Sequence, residues 1–251
     1  MSYDSINKQR EKCVLIMEGT GQTQIHAGEI ACAEKELKHP LNRSRLNDRG
    51  MRLLFLFLVN DAYLKGSDLA IARMTGLSVS QVKTGLQQLI HLGILHRSDD
   101  VLQFINKRKL IDLWIINYGR LLRSGLILGN YYMEPSTEES LQEKLFTMFP
   151  DDSYAIGGVM GSDFLIPYQH ETGNQIYIKR EDIRFIESLF RLIPSKEFNI
   201  TLFNLFSPEV IFHKTHSNIS VAQPLLIYAE LLHNRHISAE ETMRIIYGQY
   251  L

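Results

Sequence analysis

The segment Val79–His91 constrains the fold more than any other part of the sequence, because its apolar residues repeat with the period of a helix buried along one face. Four apolar side chains stand at positions i, i+4, i+7 and i+8: Val82, Leu86, Leu89 and Ile90. Ser78 can cap the start of such a helix, and Gly93 follows its last turn, where glycine commonly ends a helix. The pattern predicts an amphipathic helix whose apolar side other elements must cover.

The sequence predicts two helices before this segment and a β-hairpin after it. Arg49–Tyr63 is apolar enough for a buried helix, and Asp68–Met74 fits a short helix. The runs Ile94–His96 and Val101–Ile105 flank a polar turn at 97–100, which indicates a β-hairpin. Three helices followed by a hairpin is the order of a winged helix-turn-helix, and we expect this fold over residues 45–125.

The remainder of the chain predicts a region in which helices and strands are mixed. Trp114, the only tryptophan, has Tyr118 at i+4 on the same face of a helix predicted over Lys109–Ser124. Further helices are predicted over Thr137–Phe149 (with a Ser136/Glu139 capping box), Glu181–Leu192, Val221–His233 and Ser238–Tyr250. Strands are predicted over Gln175–Ile178, Asn199–Leu205 and Val210–His213. We therefore expect an α+β chain in three parts: an arm or capping helix at 1–44, the winged helix-turn-helix at 45–125, and a smaller α+β domain at 126–251.

Charge is distributed unevenly along the chain, although the total is only −1. Residues 1–125 contain 18 Lys and Arg against 12 Asp and Glu, whereas residues 126–251 contain 9 against 16. The two halves carry +6 and −7, so the neutral total does not argue against a nucleic-acid partner. A basic region joined to an acidic one indicates two modules with different partners.

Cysteine usage and hydropathy indicate the compartment. Cys13 and Cys32 lack the spacing of a CxxC or zinc motif, which favours a reducing environment. The polar first residues do not resemble a signal peptide, and the longest apolar run, Leu53–Val59, is too short to span a bilayer. We expect a cytoplasmic protein without membrane contact.

The exposed side of the Val79–His91 helix carries the side chains best suited to reading DNA. Packing its apolar face on Leu53–Val59 directs six polar residues outward: Ser80, Gln81, Lys83, Thr84, Gln87 and Gln88. Hydroxyls and amides can hydrogen-bond base edges in a major groove, which admits one helix. Arg97 at the hairpin tip and the run Lys107, Arg108 and Lys109 would contact phosphates. A winged helix that docks protein, without binding DNA, is the alternative.

The sequence offers less for catalysis. Its nine histidines form neither HExxH nor a matched Cys/His set. Gly161-Ser162-Asp163 is similar to the start of a nucleotidyltransferase motif, but no Asp-x-Asp follows at a suitable distance. The glycines at 157, 158 and 161 favour close approach of a helix and a strand. We expect no catalytic residue, metal or cofactor, with a degenerate nucleotidyltransferase-like enzyme as the alternative.

Most of residues 66–251 resembles a known family, the AbiEi-type antitoxins and transcriptional regulators of bacterial type IV toxin-antitoxin (abortive-infection) systems. Besides the helix-turn-helix, the resemblance includes the run 113–118 with Arg120 and Arg123, the run 155–158, and the strand ending in Tyr177. The closing blocks 224–232 and 246–251 complete it, and the first of these is the most specific. Glu230 stands where the family usually has Asp.

The resemblance implies an N-terminal winged helix that binds operator DNA and represses its own operon. It also implies a non-enzymatic C-terminal domain that opposes a cognate toxin, itself similar to a nucleotidyltransferase. Operator symmetry is compatible with a homodimer or with paired monomers on repeated half-sites, and the sequence does not decide between them.

Overall fold

The computed structural model describes residues 46–98, 101–134, 137, 141–149, 153–166, 174–207, 212–214, 219–234 and 239–251. The helices in this part of the chain are α1 (Asp48–Val59), α2 (Asp68–Thr75), α3 (Val79–His91), α4 (Lys107–Asn117), α5 (Leu141–Met148), α6 (Gly158–Leu165), α7 (Ile183–Leu189), α8 (Pro224–Asn234) and α9 (Glu240–Tyr250). The strands are β1 (Leu95–Ser98), β2 (Val101–Phe104), β3 (Ile127–Tyr132), β4 (Tyr154–Gly157), β5 (Asn174–Ile178), β6 (Ile193–Pro194), β7 (Ile200–Asn204), β8 (Phe212–Lys214) and β9 (Ser220–Ala222). The predicted α+β class is confirmed.

Several sequence predictions lie wholly or partly outside the described residues. They include the arm or capping helix at 1–44, the centre of the hairpin turn at 99–100, the capping box of Ser136 and Glu139, and the first half of the strand predicted over Val210–His213, whose second half lies in β8.

Side-chain caps explain where the first helices begin. Asn47 Oδ1 accepts a hydrogen bond from the Gly50 amide at 2.9 Å, and Ser67 Oγ accepts one from the Ala70 amide at 3.2 Å. Ser78 forms a capping box at the start of α3, so the helix predicted over Val79–His91 is confirmed at both ends. Gly76 ends α2 in the left-handed region, at φ 67°, which favours glycine.

The apolar face of α3 packs on α1, as the sequence predicts. Val82, Leu86 and Leu89 are buried. A Cβ on Gly85 would lie only 2.5 Å from Leu53 Cδ1, so the two helices approach closely at this glycine. Burial of this face leaves the opposite side of α3 to solvent.

The C-terminal part is built on a mixed sheet. Its described strands follow the order β6-β3-β7-β5-β4-β9-β8, with β5 parallel to β7, β4 parallel to β9, and the other pairs antiparallel. β1 and β2 form a separate antiparallel pair, in which Arg97 is opposite Leu102. The predicted strands near 175–178 and 199–205 are confirmed as β5 and β7.

Two predictions about helices are wrong. The helix predicted over Lys109–Ser124 ends as an α-helix at Asn117, and a π-helical turn, Tyr118–Arg123, continues the chain into a short helical turn at Ser124–Leu126. The helix predicted from Val221 begins at Pro224, because residues before it pair as β9 and proline is tolerated in a first helical turn, where no amide hydrogen is needed.

Other boundaries also differ from the sequence predictions. The strand β3 lies in a stretch for which the sequence predicted no element. The helix predicted over Glu181–Leu192 is a 3₁₀ turn, Arg180–Asp182, followed by α7. Of the helix predicted over Thr137–Phe149, the described residues Thr137 and Leu141–Met148 are helical.

Contacts around Trp114 connect the first helices to the sheet. Trp114 Nε1 donates a hydrogen bond to the Met51 carbonyl oxygen at 3.0 Å, and its ring lies 5.2 Å from that of Phe55. Phe55 in turn packs 5.1 Å from Phe206, beyond the end of β7. Residues Leu46–Leu251 consequently form one compact unit. Within the described ranges, the helices are all too short or too polar to cross a membrane.

Candidate nucleic-acid interface

Four of the residues predicted to face DNA share the exposed side of α3. Ser80, Lys83, Thr84 and Gln87 are exposed, at spacings of three and four residues that place them on one face of a helix. His91 continues this exposed stripe at the C-terminal end of α3, and the sequence prediction did not include it. A helix that presents hydroxyl, amide and ammonium groups along one side can hydrogen-bond base edges and phosphates.

Gln81 lies at the edge of this stripe and is half-buried. Its side-chain Oε1 accepts a hydrogen bond from the Ser78 backbone amide at 2.9 Å, while the backbone amide of Gln81 donates to Ser78 Oγ at 3.2 Å. Its Nε2 has no hydrogen-bond partner among the described residues. The same side chain thus caps the helix and presents an amide donor.

The prediction that Gln88 points outward is wrong. The residue is half-buried and its Oε1 is fully buried against α1, where a Cβ on Gly50 would lie 2.8 Å from it. Gln88 stands one residue after Gln87, and a step of about 100° around the helix turns it towards α1. We assign it a role in packing.

The predicted phosphate contacts lie on two other elements. Arg97 is exposed within strand β1, and its predicted position in the hairpin turn is therefore wrong. Lys107, Arg108 and Lys109 are exposed in the first turn of α4, where Asn106 caps the helix by accepting from the Lys109 amide at 3.1 Å. Three cations at the positive end of a helix dipole reinforce one another's potential, which favours an anion there.

A second concentration of polar groups lies in the core, around the carboxylate of Glu230 on α8. Glu230 is fully buried. The Tyr118 hydroxyl and Gln175 Nε2 donate hydrogen bonds to it, the latter at 2.9 Å. Arg123 Nε donates to both carboxylate oxygens at 3.0 and 3.1 Å. Burying this charge is tolerable because each of these donors compensates for lost water.

The π-helical turn explains how two of these donors reach one carboxylate. Tyr118 and Arg123 are five residues apart, and in an α-helix such residues point about 140° away from each other. Hydrogen bonds from i to i+5 in a π turn instead bring them onto the same side. The turn therefore directs both side chains to Glu230.

The two buried tyrosines beside Glu230 are held in their neutral form. Tyr118 and Tyr177 lie with their hydroxyl oxygens 3.4 Å apart. Burial raises the pKa of Tyr118 well above its usual range, and Tyr177 and Glu230 raise it further. Burial likewise raises the pKa of Tyr177, with the Glu230 charge as the next contribution.

The residues similar to a nucleotidyltransferase motif have structural partners. Ser162 is buried in α6, and its hydroxyl donates to the Val159 carbonyl oxygen at 2.7 Å. Gly161 lets α6 lie against β4, because a Cβ there would be 2.6 Å from the Ile156 carbonyl oxygen. The close approach of helix and strand predicted from the glycines is confirmed at Gly161, whereas a Cβ at Gly157 or Gly158 would meet the side chains of Tyr177 or Gln175 on β5. Among the described residues, His, Cys, Asp and Glu side chains do not form a group of three suited to a metal ion.

Sequence reasoning did not identify the Glu230 cluster. One signal was present: Glu230 is a single carboxylate in the apolar run 224–232, and a buried charge requires partners. The identity of those partners could not be read from the sequence, because Tyr118, Arg123 and Gln175 lie far from it in the chain.

Comparison with known proteins covers the C-terminal part of the chain. The family described as transcriptional regulator, AbiEi antitoxin, type IV TA system matches residues 103–251. No curated protein sequence matches the chain. Among solved structures, the crystal structure of the Megavirus polyadenylate synthase is similar at 11% sequence identity and a TM-score of 0.29, over 78% of this chain and 43% of that one.

The matched residues include the elements that build the core described above. They begin at β2 and extend through the π-helical turn, the mixed sheet and the closing helices α8 and α9. The match covers more than half of the chain. The protein therefore belongs to the family of AbiEi antitoxins, the transcriptional regulators of type IV toxin-antitoxin systems.

Proposed function

We propose that this AbiEi-family protein is a winged helix-turn-helix repressor that binds the operator DNA of its own operon. The observation that carries the proposal is the exposed polar stripe of α3, opposite the face packed on α1. Helices α1–α3 followed by the β1–β2 pair have the element order of that motif. These helices precede the matched residues 103–251, so the support comes from their own chemistry.

In this proposal α3 enters the major groove. Ser80, Gln81, Thr84 and Gln87 reach base edges, and Lys83 reaches a phosphate. Arg97 on β1 and the cations Lys107, Arg108 and Lys109 at the start of α4 contact the backbone without reading sequence. Gln88 supports the α1–α3 contact and does not touch DNA. The protein occupies symmetric half-sites as a homodimer or as paired monomers.

We further propose that the protein counters a cognate nucleotidyltransferase-like toxin, without itself being an enzyme. The family's description as a type IV antitoxin supports this role. The −7 charge of residues 126–251 gives that half a surface that favours a basic partner. Growth of cells expressing a nucleotidyltransferase-like toxin of a type IV system, with and without this protein, tests the antitoxin role.

Lys83→Ala tests the DNA-binding proposal. We expect weaker binding to the upstream region of the protein's own gene, and a salt dependence whose slope falls by about 1, because one phosphate contact is lost. Binding is measured by gel shift or fluorescence anisotropy at several salt concentrations. Lys196→Ala removes another exposed lysine, between β6 and β7, and serves as the matched control. Unchanged affinity in Lys83→Ala would contradict α3 as the recognition helix.

A further inference from the structure

The capping box of α3 restricts what Gln81 can offer to a base. Its Oε1 faces the Ser78 backbone amide at 2.9 Å, within the first turn of the helix. Glutamine normally pairs with adenine through both amide atoms, which must face the base edge together so that Oε1 accepts from N6 and Nε2 donates to N7. With Oε1 turned back to Ser78, only Nε2 is directed away from the helix terminus.

Guanine is the base that best fits a lone amide donor. In the major groove its O6 and N7 are adjacent acceptors, and Nε2 carries two hydrogens. Adenine instead presents its N6 amino group beside N7, cytosine presents the N4 amino group, and thymine presents one acceptor, O4, beside its methyl group, so guanine is the base with two adjacent acceptors. Either amino group would face Nε2 donor to donor, which leaves a desolvated polar group unpaired.

We infer that Gln81 is a specificity-determining residue that selects guanine over adenine, because the capping bond turns Oε1 back to the Ser78 amide and leaves the Nε2 donor as the atom presented to a base. The inference rests on the proposed function, since it assumes that α3 reads the operator. Gln87 provides the internal comparison: it is exposed on the same helix and has no side-chain hydrogen bond among the described residues, so both of its amide atoms can face a base.

Selection from a randomised DNA library, with the full-length protein and its variants, tests the inference. For wild type we expect one position at which guanine is preferred over adenine by about tenfold, the order of discrimination of a good base contact. In Gln81→Glu one carboxylate oxygen can still accept from the Ser78 amide, while the other replaces the outward Nε2 donor by an acceptor. At that position alone, the preferred base should therefore change from guanine to cytosine or adenine, whose amino groups are donors. Gln87→Glu, the matched control, should alter a different position.

A chemical substitution in the DNA provides a measurement that does not depend on the folding of a variant. Replacing the selected guanine by 7-deazaguanine removes N7, and it should weaken binding by wild type but not by Gln81→Ala. An equal loss of affinity in wild type and Gln81→Ala would overturn the inference. So would a wild-type preference for adenine at the position whose base preference changes when Gln81 is substituted. Either result would leave the proposed DNA binding intact. If wild type selects no sequence at all, the proposed function fails as well.

Discussion

At the scale of single residues, Glu230 is a fully buried carboxylate on which hydrogen bonds from distant parts of the chain converge. Its carboxylate receives hydrogen bonds from Tyr118, Arg123 and Gln175, which come from three separate segments of the chain. A charge in this position stabilises the fold only while its partners are in place, because the cost of removing it from water is several kcal/mol. The side chain therefore determines how α8, the π-helical turn and β5 fit together.

Glu230→Ala should lower the free energy of unfolding by roughly 3–5 kcal/mol, because Arg123 and two neutral donors lose a buried acceptor at once. Urea unfolding followed by circular dichroism measures the change. Glu241→Ala is the control, since it breaks the ion pair with Arg244 on the exposed side of α9, where solvent screens the charges. A loss no larger than that of the control would contradict the structural role of Glu230.

At the scale of elements, the contact between α6 and β4 depends on a glycine. Helix α6 begins directly after β4, so the chain must fold the helix back against its own strand. The Cβ of any other residue at position 161 would lie 2.6 Å from a backbone oxygen, Ile156 O, which cannot move aside as a flexible side chain would. Gly161 is therefore required for the packing of this pair.

Gly161→Ala should destabilise the protein by about 1–3 kcal/mol, the usual cost of overpacking a core. Gly248→Ala is the matched control, because its Cβ would meet nothing within 4 Å in α9, and alanine there should stabilise the helix by up to about 1 kcal/mol. Thermal unfolding of the two variants should shift in opposite directions. A Gly161→Ala variant as stable as wild type would show that α6 can move away from β4.

The same scale explains why α3 was predictable. Its cap, its apolar period and its terminating glycine all lie within the segment itself, and the structure reproduces the helix bounds from Val79 to His91. The π-helical turn was not predictable in this way. Its i+5 bonds are favoured by the contacts that Tyr118 and Arg123 make with a distant helix, whereas the local sequence reads as a continuous α-helix.

At the scale of the whole molecule, the proposed DNA-binding elements share a core with the sheet. Phe55 on α1 contacts both Trp114 on α4 and Phe206 after β7, and Arg52 donates to the Phe206 carbonyl oxygen at 2.6 Å. The domain boundary expected at residue 125 stays a prediction. Contacts of this kind across it favour residues 46–251 unfolding together.

A single cooperative transition is therefore expected for residues 46–251. Fluorescence of Trp114, which is buried between the two parts, should change at the same urea concentration as the far-ultraviolet circular dichroism. Phe206→Ala removes a buried ring on the sheet side and should lower the free energy of unfolding by about 3–5 kcal/mol. Both urea midpoints should therefore fall by the same amount. Two separate transitions, with only one of them affected by Phe206→Ala, would show that the parts fold independently.

The sequence alone determined the features that depend on neighbouring residues. The α+β class, the three helices with the Ser78 cap of α3, the exposed stripe with Lys83, and the close approach at Gly161 follow from periodicity and turn chemistry. The family resemblance also came from the sequence, and the match over residues 103–251 confirms it.

Only the tertiary structure decided which polar residues face solvent and which face the core. Gln88 and Gln87 are the same residue type in adjacent positions, but the proximity of α1 buries one amide oxygen and leaves the other side chain exposed. Glu230 accepts hydrogen bonds from Arg123 and Tyr118, which lie 107 and 112 residues earlier in the chain. Such pairings arise because burial forces each polar group to bond with whatever the fold brings beside it, and sequence spacing does not encode that proximity.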